Sequence, residues 1–367
     1  MIEQFYDLKP QVLELDRKTL ELCRDQFAHL EEIRDYNQLK MLRAFTDCGV
    51  EARHFLGSTG YGVWDDSRNK LEEVFSRCMG AEDALVRPQF MSGTHTLTVA
   101  LFGLLRAGDT LLAATGRPYD TLEGVIGIGE AGKGCGTLQE YGIHYDEVPL
   151  LPDFTPDYAA IAEHAKTATV VHIQRSRGYT QRNAFDLDTI QKVADTARKA
   201  NPDVVIFVDN CYGEFTQIRE PLSAGADVIA GSFIKNPGGG ITPTGGYIAG
   251  RRDLVEGAAM RLSNPRYRKG VRLHLWGQPQ PLSRAFPCPP YHGPGSQDGG
   301  VCRPDDGAAG LPDGAHLRYG TPRHHSDDSF WRAGAPQKIL QRHPVRRSGG
   351  LLRDTGALGH AGVMTAR

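Results

Sequence analysis

Lys235 stands alone between a short apolar run and a block of glycines, within Val228–Gly250, which reads VIAGSFIKNPGGGITPTGGYIAG. Val228-Ile229-Ala230 reads as a buried strand and Gly246–Gly250 as another, which puts the lysine on the turn between them. Gly238, Gly239 and Gly240 lack a Cβ, so the backbone there can pass close to a bound group or take a positive φ. A lysine held beside apolar neighbours loses hydration and its pKa falls. Its amine then becomes a nucleophile suited to a Schiff base with an aldehyde. In a solvated loop the same residue would do none of this. A phosphate loop is a poorer fit, because there the glycines precede the lysine and a Ser or Thr follows it, whereas Asn236 follows here.

Three upstream stretches carry complementary chemistry. Ser92-Gly93-Thr94 opens a helix. Free N–H groups, a small glycine and two hydroxyls at a helix start suit a phosphate, although an ordinary N-cap uses the same residues. Asp209 ends the run Val204-Val-Ile-Phe-Val208. A carboxylate at the end of a buried strand needs a partner, and either a protonated ring nitrogen or the next turn provides one. Tyr119, in Arg117-Pro-Tyr-Asp120, is placed to stack on a planar group or simply to pack.

The elements that must position these residues alternate. Strand-like runs occur at Ala84–Arg87, Thr110–Ala114, His144–Val148, Thr169–Ile173, Val204–Asp209, Val228–Ser232 and Gly246–Gly250. Helical spacing occurs at Asp66–Met79, Thr94–Leu105, Asp157–Lys166 and Leu187–Ala200, and over 10–46 as an amphipathic arm or helix pair. The alternation predicts an α/β fold around a mostly parallel, seven-stranded sheet, with ligands beyond the carboxyl ends of the strands. The chemical residues fall at those ends.

The chain has 367 residues, enough for a sizeable core, and a net charge of −2. That balance conceals a split: residues 1–264 carry 27 Lys+Arg against 37 Asp+Glu, and residues 265–367 carry 15 against 7. Seven scattered cysteines without a C-x-x-C pair suggest reduced thiols and a cytoplasmic location. The start MIEQFYDLKP has no basic segment followed by an apolar run, and no stretch approaches a membrane span, so neither secretion nor a membrane partner is expected. No histidine or carboxylate cluster has metal-ligand spacing, so no metal is expected.

Several motifs, in order, resemble the fold-type I enzymes of pyridoxal phosphate. Within them the match is to the cystathionine/methionine lyase-like proteins known as aluminium resistance proteins. The segments are His54–Gly62, Arg87-Pro-Gln-Phe-Met-Ser-Gly-Thr-His95, Arg117-Pro-Tyr-Asp-Thr-Leu122, Gln174-Arg-Ser-Arg-Gly-Tyr179, Val208-Asp-Asn-Cys-Tyr-Gly-Glu-Phe215 and Gly231–Tyr247, covering about 5–270. The resemblance implies a carbon–sulfur lyase acting on a sulfur amino acid by β- or γ-elimination, with pyridoxal 5'-phosphate held by Lys235 as an internal aldimine. It further implies that Asp209 pairs with the pyridinium nitrogen and that Ser92, Gly93, Thr94 and Ser232 hold the phosphate. Tyr119 would stack on the ring, and Tyr61 would reach the phosphate of a neighbouring subunit in a homodimer or homotetramer. Arg175 and Arg177 become candidates for O3′ or for the substrate carboxylate. Ile234 stands where such lyases usually have threonine, so one phosphate-side contact differs.

The implied organisation is an N-terminal helical arm (1–53), a cofactor-binding large domain (54–264) and an aberrant tail (265–367). The tail holds 12 of 22 prolines, 7 of 13 histidines, one isoleucine (Ile339) and no glutamate. Such a stretch has few means to offset chain entropy, and its composition reads as a frame-shifted C-terminal domain, absent or disordered. Aromatics do not interleave with its arginines, so nucleic acid is not an expected partner. The alternative function is therefore an impaired or inactive cofactor-fold protein that binds without turnover.

Overall fold

The computed structural model describes residues 5–56, 65–265 and 269. The expectations for Tyr61 and for the tail beyond residue 269 lie outside the described residues. Seven strands form one sheet: β1 Asp83–Arg87, β2 Thr110–Ala113, β3 His144–Glu147, β4 Val170–Gln174, β5 Val205–Asp209, β6 Val228–Ser232 and β7 Gly246–Gly250. Their order is β1-β7-β6-β5-β4-β2-β3. Only β7 runs against its neighbours, pairing antiparallel with both β1 and β6. The other adjacent pairs are parallel.

Helices cover both faces: α1 Pro10–Leu22, α2 Arg24–Asp47, α3 Asp66–Met79, α4 Gly93–Leu104, α5 Asp120–Ile126, α6 Tyr158–His164, α7 Leu187–Ala200 and α8 Arg252–Leu262. One core lies between the sheet and α2, α3, α6 and α7, with Met41, Phe75, Ile161 and Ile190. The other lies under α4, α5 and α8, with Leu97, Leu101, Leu122 and Val255. Strand residues alternate between the two, as period two requires. Phe207, Val228 and Ala230 face α4, while Val208 and Ile229 face the opposite side. Asp209 and Ser232 therefore share the α4 face.

The N-terminal arm is a pair of helices that breaks at Cys23. α2 buries Ile33, Asn37, Met41 and Ala44, a stripe at spacings of three and four. Leu20 is exposed, and α1 has no buried residue. Cys48, Cys78, Cys135 and Cys211 are free thiols.

Candidate active site

The carboxyl ends of β1, β4, β5 and β6 lie along one edge of the sheet, and α4 begins there. Ser92 caps the helix: its Oγ accepts from His95 N at 3.1 Å. Among the described residues, the N–H groups of Gly93 and Thr94 make no hydrogen bond to protein, so the positive end of α4 points two unused donors at the edge. A Cβ on Gly93 would lie 3.4 Å from Ser232 Cβ, 3.5 Å from Cys211 Sγ and 3.7 Å from Lys235 Nζ. Three elements thus converge on one bare Cα.

Lys235 sits on the β6–β7 turn. The chain can double back there because a side chain at Gly238 would collide with the Phe233 carbonyl, 1.8 Å from where its Cβ would stand, and Gly239 takes φ +54°. The lysine Nζ lies 4.2 Å from the centroid of the Tyr212 ring. Burial opposes its charge, but Cys211, Asp209 and Tyr212 outweigh that effect, and the amine's pKa is raised. The expectation of a lowered pKa is thereby corrected: the Asp209 carboxylate and the polar groups of Cys211 and Tyr212 stand beside the amine, not only apolar residues. The Cys211 thiol is itself held well above its ordinary value, by burial first and then by Asp209.

Asp209 is buried at the end of β5, and its Oδ1 accepts from Cys211 N at 3.1 Å. Tyr119 enters the same space from the start of α5. Its hydroxyl lies 3.1 Å from Thr94 Oγ1, which also lies 2.8 Å from Thr121 Oγ1. Gln174 Oε1 accepts from Tyr119 N at 2.9 Å, fixing that turn to the end of β4. Burial and then the charge of Asp209 raise the Tyr119 pKa, so the phenol keeps its proton at neutral pH. Lys235, Gly93, Ser232, Asp209, Thr94 and Tyr119 are thus gathered at one edge of the sheet.

The arginines divide. Arg175 is buried and fully engaged: Nη1 donates to Asn210 Oδ1 at 2.8 Å and to the Gly213 carbonyl at 2.7 Å, and Nη2 donates to Gln217 Oε1 at 2.8 Å. Its Nε donates to the Phe185 carbonyl at 3.4 Å. This guanidinium holds the loop after β5 and offers no free donor to a ligand carboxylate, a correction to its expected role. Arg177 is exposed, on a loop whose next residue, Gly178, passes beside Tyr119. Ile234 is 46% exposed and points out of the turn.

Reading the residues did not single out Cys211, Tyr212 or Gln174 as site residues. The first two stand two and three positions after Asp209, and the φ of +69° at Tyr212 that turns its ring under Lys235 has no signature in a non-glycine residue. Gln174 ends the β4 run, where position alone was a usable signal. No group of three or more His, Cys, Asp or Glu that would hold a metal occurs among the described residues, and none of their helices is long and apolar enough to cross a membrane.

This arrangement of one lysine, a strand-end carboxylate and a helix start coincides with a sequence match. The family model of methionine gamma-lyase matches residues 12–273. The chain belongs to that family. The Bacillus subtilis protein YnbB, uncharacterized, is 44% identical over 237 residues, 64% of this chain and 56% of YnbB. Homocysteine synthase of Schizosaccharomyces pombe is 30% identical over 207 residues, 56% of this chain and 43% of that protein. The solved structure of a carbon-sulfur lyase involved in aluminum resistance from Clostridium novyi is 45% identical, with a TM-score of 0.69 over 72% of this chain and 63% of that chain. The chain spans about half the length of the curated relatives it matches. Pyridoxal phosphate is the cofactor that the family implies, and the residues present fit it. The site offers one primary amine, unused N–H groups at a helix start, a bare Cα at Gly93 that leaves room beside them, and a buried carboxylate.

Proposed function

We propose that this chain carries the cofactor site of a pyridoxal phosphate-dependent carbon–sulfur lyase, acting on a sulfur amino acid of the cystathionine or methionine type. The observation that carries the reading is the convergence of Lys235 Nζ, Cys211 Sγ and Ser232 Cβ on Gly93 at the start of α4, with Asp209 adjoining. When bound, the cofactor supplies an electron sink for cleavage next to a substrate α-carbon. Lys235 would provide the amine that holds the cofactor and, when free, would move the proton at the substrate α-carbon. Asp209 would keep a proton on the cofactor's ring nitrogen. The N–H groups of Gly93 and Thr94, with the Ser232 hydroxyl, take the phosphate, and the Tyr119 ring covers the site. Arg177, the exposed arginine beside Tyr119, is the better placed of the two arginines to meet a substrate carboxylate.

The test is labelling followed by turnover. Borohydride reduction of the protein mixed with pyridoxal phosphate is expected to fix the label on Lys235, and Lys235→Ala is expected to stay colourless. A label on another lysine, with the variant still coloured, refutes the assignment. Release of pyruvate or 2-oxobutyrate from cystathionine and methionine then separates β- from γ-elimination. A second reading, cofactor binding without turnover, is favoured by one observation: the family match stops at residue 273 of 367. Coloured protein that releases neither keto acid selects it.

A further inference from the structure

Under the loop that follows Asp209 lies a buried carboxyl group that the reading above does not use. Glu214 is fully buried on the sheet face opposite Asp209. Its Oε1 accepts from Tyr247 Oη at 2.9 Å, and its Oε2 has no partner among the described residues. Tyr247 Oη accepts from Asn210 Nδ2 at 3.3 Å, and Asn210 is the residue that Arg175 holds. The pair fits only because Gly231, across the ladder from Tyr247, is bare: a Cβ there would lie 2.4 Å from Glu214 Oε1 and 2.6 Å from Tyr247 Oη.

The network reaches Lys235 through its neighbour in sequence. Asn236 Nδ2 donates to the Tyr212 carbonyl at 2.9 Å and to the Glu214 carbonyl at 3.2 Å. One side chain thereby joins the lysine turn to the loop that carries the ring beneath the amine. Around Glu214 stand Lys235, whose charge favours its ionised form, and Glu220, whose charge opposes it, besides Tyr247. Glu220 is itself buried, 3.8 Å from Lys40 of α2 and under the influence of Arg175. Lys235 is faced by Cys211, Asp209 and Tyr212. Burial pushes the Glu214 carboxyl up to about 8, and the lysine's charge pulls against that. A dry carboxyl with one oxygen unpartnered destabilises a fold that an amide or an apolar residue would fill as well.

We propose that Glu214 is a positioning residue for Lys235, bracing the loop that sets the Tyr212 ring under the amine and stabilising the amine's charge through the sheet. The two groups are coupled. With Lys235 charged, Glu214 ionises more readily; when the amine loses its charge, Glu214 holds its proton more firmly. The functional weight of this rests on Lys235 being the reactive amine, but the coupling itself does not require a cofactor.

The experiment is competitive acetylation of the full chain without added cofactor. Trace acetic anhydride is applied between about pH 7 and 11, and Lys235 is quantified against the other lysines in the same digest. In Glu214→Gln, which keeps an acceptor for the Tyr247 hydroxyl, the titration of Lys235 should move down by about half a unit to one unit. Lys235 is then acetylated about threefold to tenfold faster at about pH 9, with the other lysines unchanged. Tyr247→Phe removes the donor that helps Glu214 ionise and should move the profile the same way, by less. A Lys235 profile that superimposes on the wild type in folded Glu214→Gln overturns the proposal. If that variant does not fold, the Tyr247→Phe profile decides by the same criterion. A borohydride label on a different lysine would defeat the reading of the site while leaving this coupling intact, so the two failures are distinguishable.

Discussion

Acid lability should trace to one histidine in the sheet. His172 lies within β4, fully buried, its ring centroid 5.6 Å from that of Phe207, and its Nε2 has no partner among the described residues. Burial keeps it neutral and lowers its pKa from 6.5 to about 4, although the charge of Asp209 pulls the other way. The unfolded chain accepts a proton on this residue near 6.5, and the native chain does so only near 4. Between those values the unfolded state binds more protons, so stability is lost as pH falls through the window. The gap between 6.5 and about 4, at about 1.4 kcal/mol per pH unit, corresponds to about 3 kcal/mol. Glu214 acts in the opposite sense: its native pKa is raised from 4.5 to about 8, so its contribution is present below 4.5 and is lost as pH rises toward 8. The total pH profile therefore mixes the two groups, and a difference curve is needed. Urea unfolding of the wild type and of His172→Phe, measured from about pH 4 to pH 8, isolates the histidine. A constant offset from packing or from removal of the unpartnered nitrogen does not enter the comparison. Relative to the wild type it should gain about 3 kcal/mol between pH 6.5 and pH 4 and nothing above about pH 7. A difference that stays constant across the range would refute the claim that His172 is folded in as a neutral group.

Three further outcomes are expected. Asp209→Asn should keep part of its cofactor affinity and lose elimination activity by about tenfold to a hundredfold, the size of a buried charge-assisted hydrogen bond of roughly 1.5–3 kcal/mol; absorbance titration with pyridoxal phosphate and keto-acid release measure the two separately. Gly231→Ala forces a methyl against Glu214 and Tyr247 and should lower stability by about 1–3 kcal/mol, read from the urea midpoint at unchanged slope. The α1 helix, with Val12, Leu15, Leu20 and Leu22 exposed and no buried residue, should pack on a second copy of the chain; light scattering is expected to give a dimer or tetramer, and Leu20→Glu to weaken it.

Apart from β3, which reads His-Tyr-Asp-Glu and buries none of its residues, the sheet was legible from local pattern because its strands are short, largely apolar runs bounded by turn residues, and all seven fall within one residue of the expected bounds. Such runs must be buried whatever covers them, so their position needs no knowledge of partners. Two features that escaped reading lack a local signal. α5 is seven residues long, and the break at Cys23 has neither proline nor glycine to mark it. Lys235 was legible as the residue between β6 and β7, and Asp209 as the end of β5, since both follow from where strands stop.

What only the tertiary structure decided is which groups face one another, and with that the sign of their chemistry. Arg175 and Arg177 look alike in sequence, yet one is buried with its donors bound to Asn210, Gly213, Gln217 and Phe185, and the other is exposed beside the loop at Tyr119. Glu214 reads as an ordinary loop glutamate until Gly231 and Tyr247, from two other strands, enclose it. For Lys235 the apolar neighbours in sequence argue for a lowered pKa, whereas Cys211, Asp209 and Tyr212, more than twenty positions upstream, raise it. Backbone periodicity is set by residues a few positions apart, so the sequence carries it openly. The charge state of a buried group is a sum over everything within a few ångströms, and those neighbours are brought together only by folding.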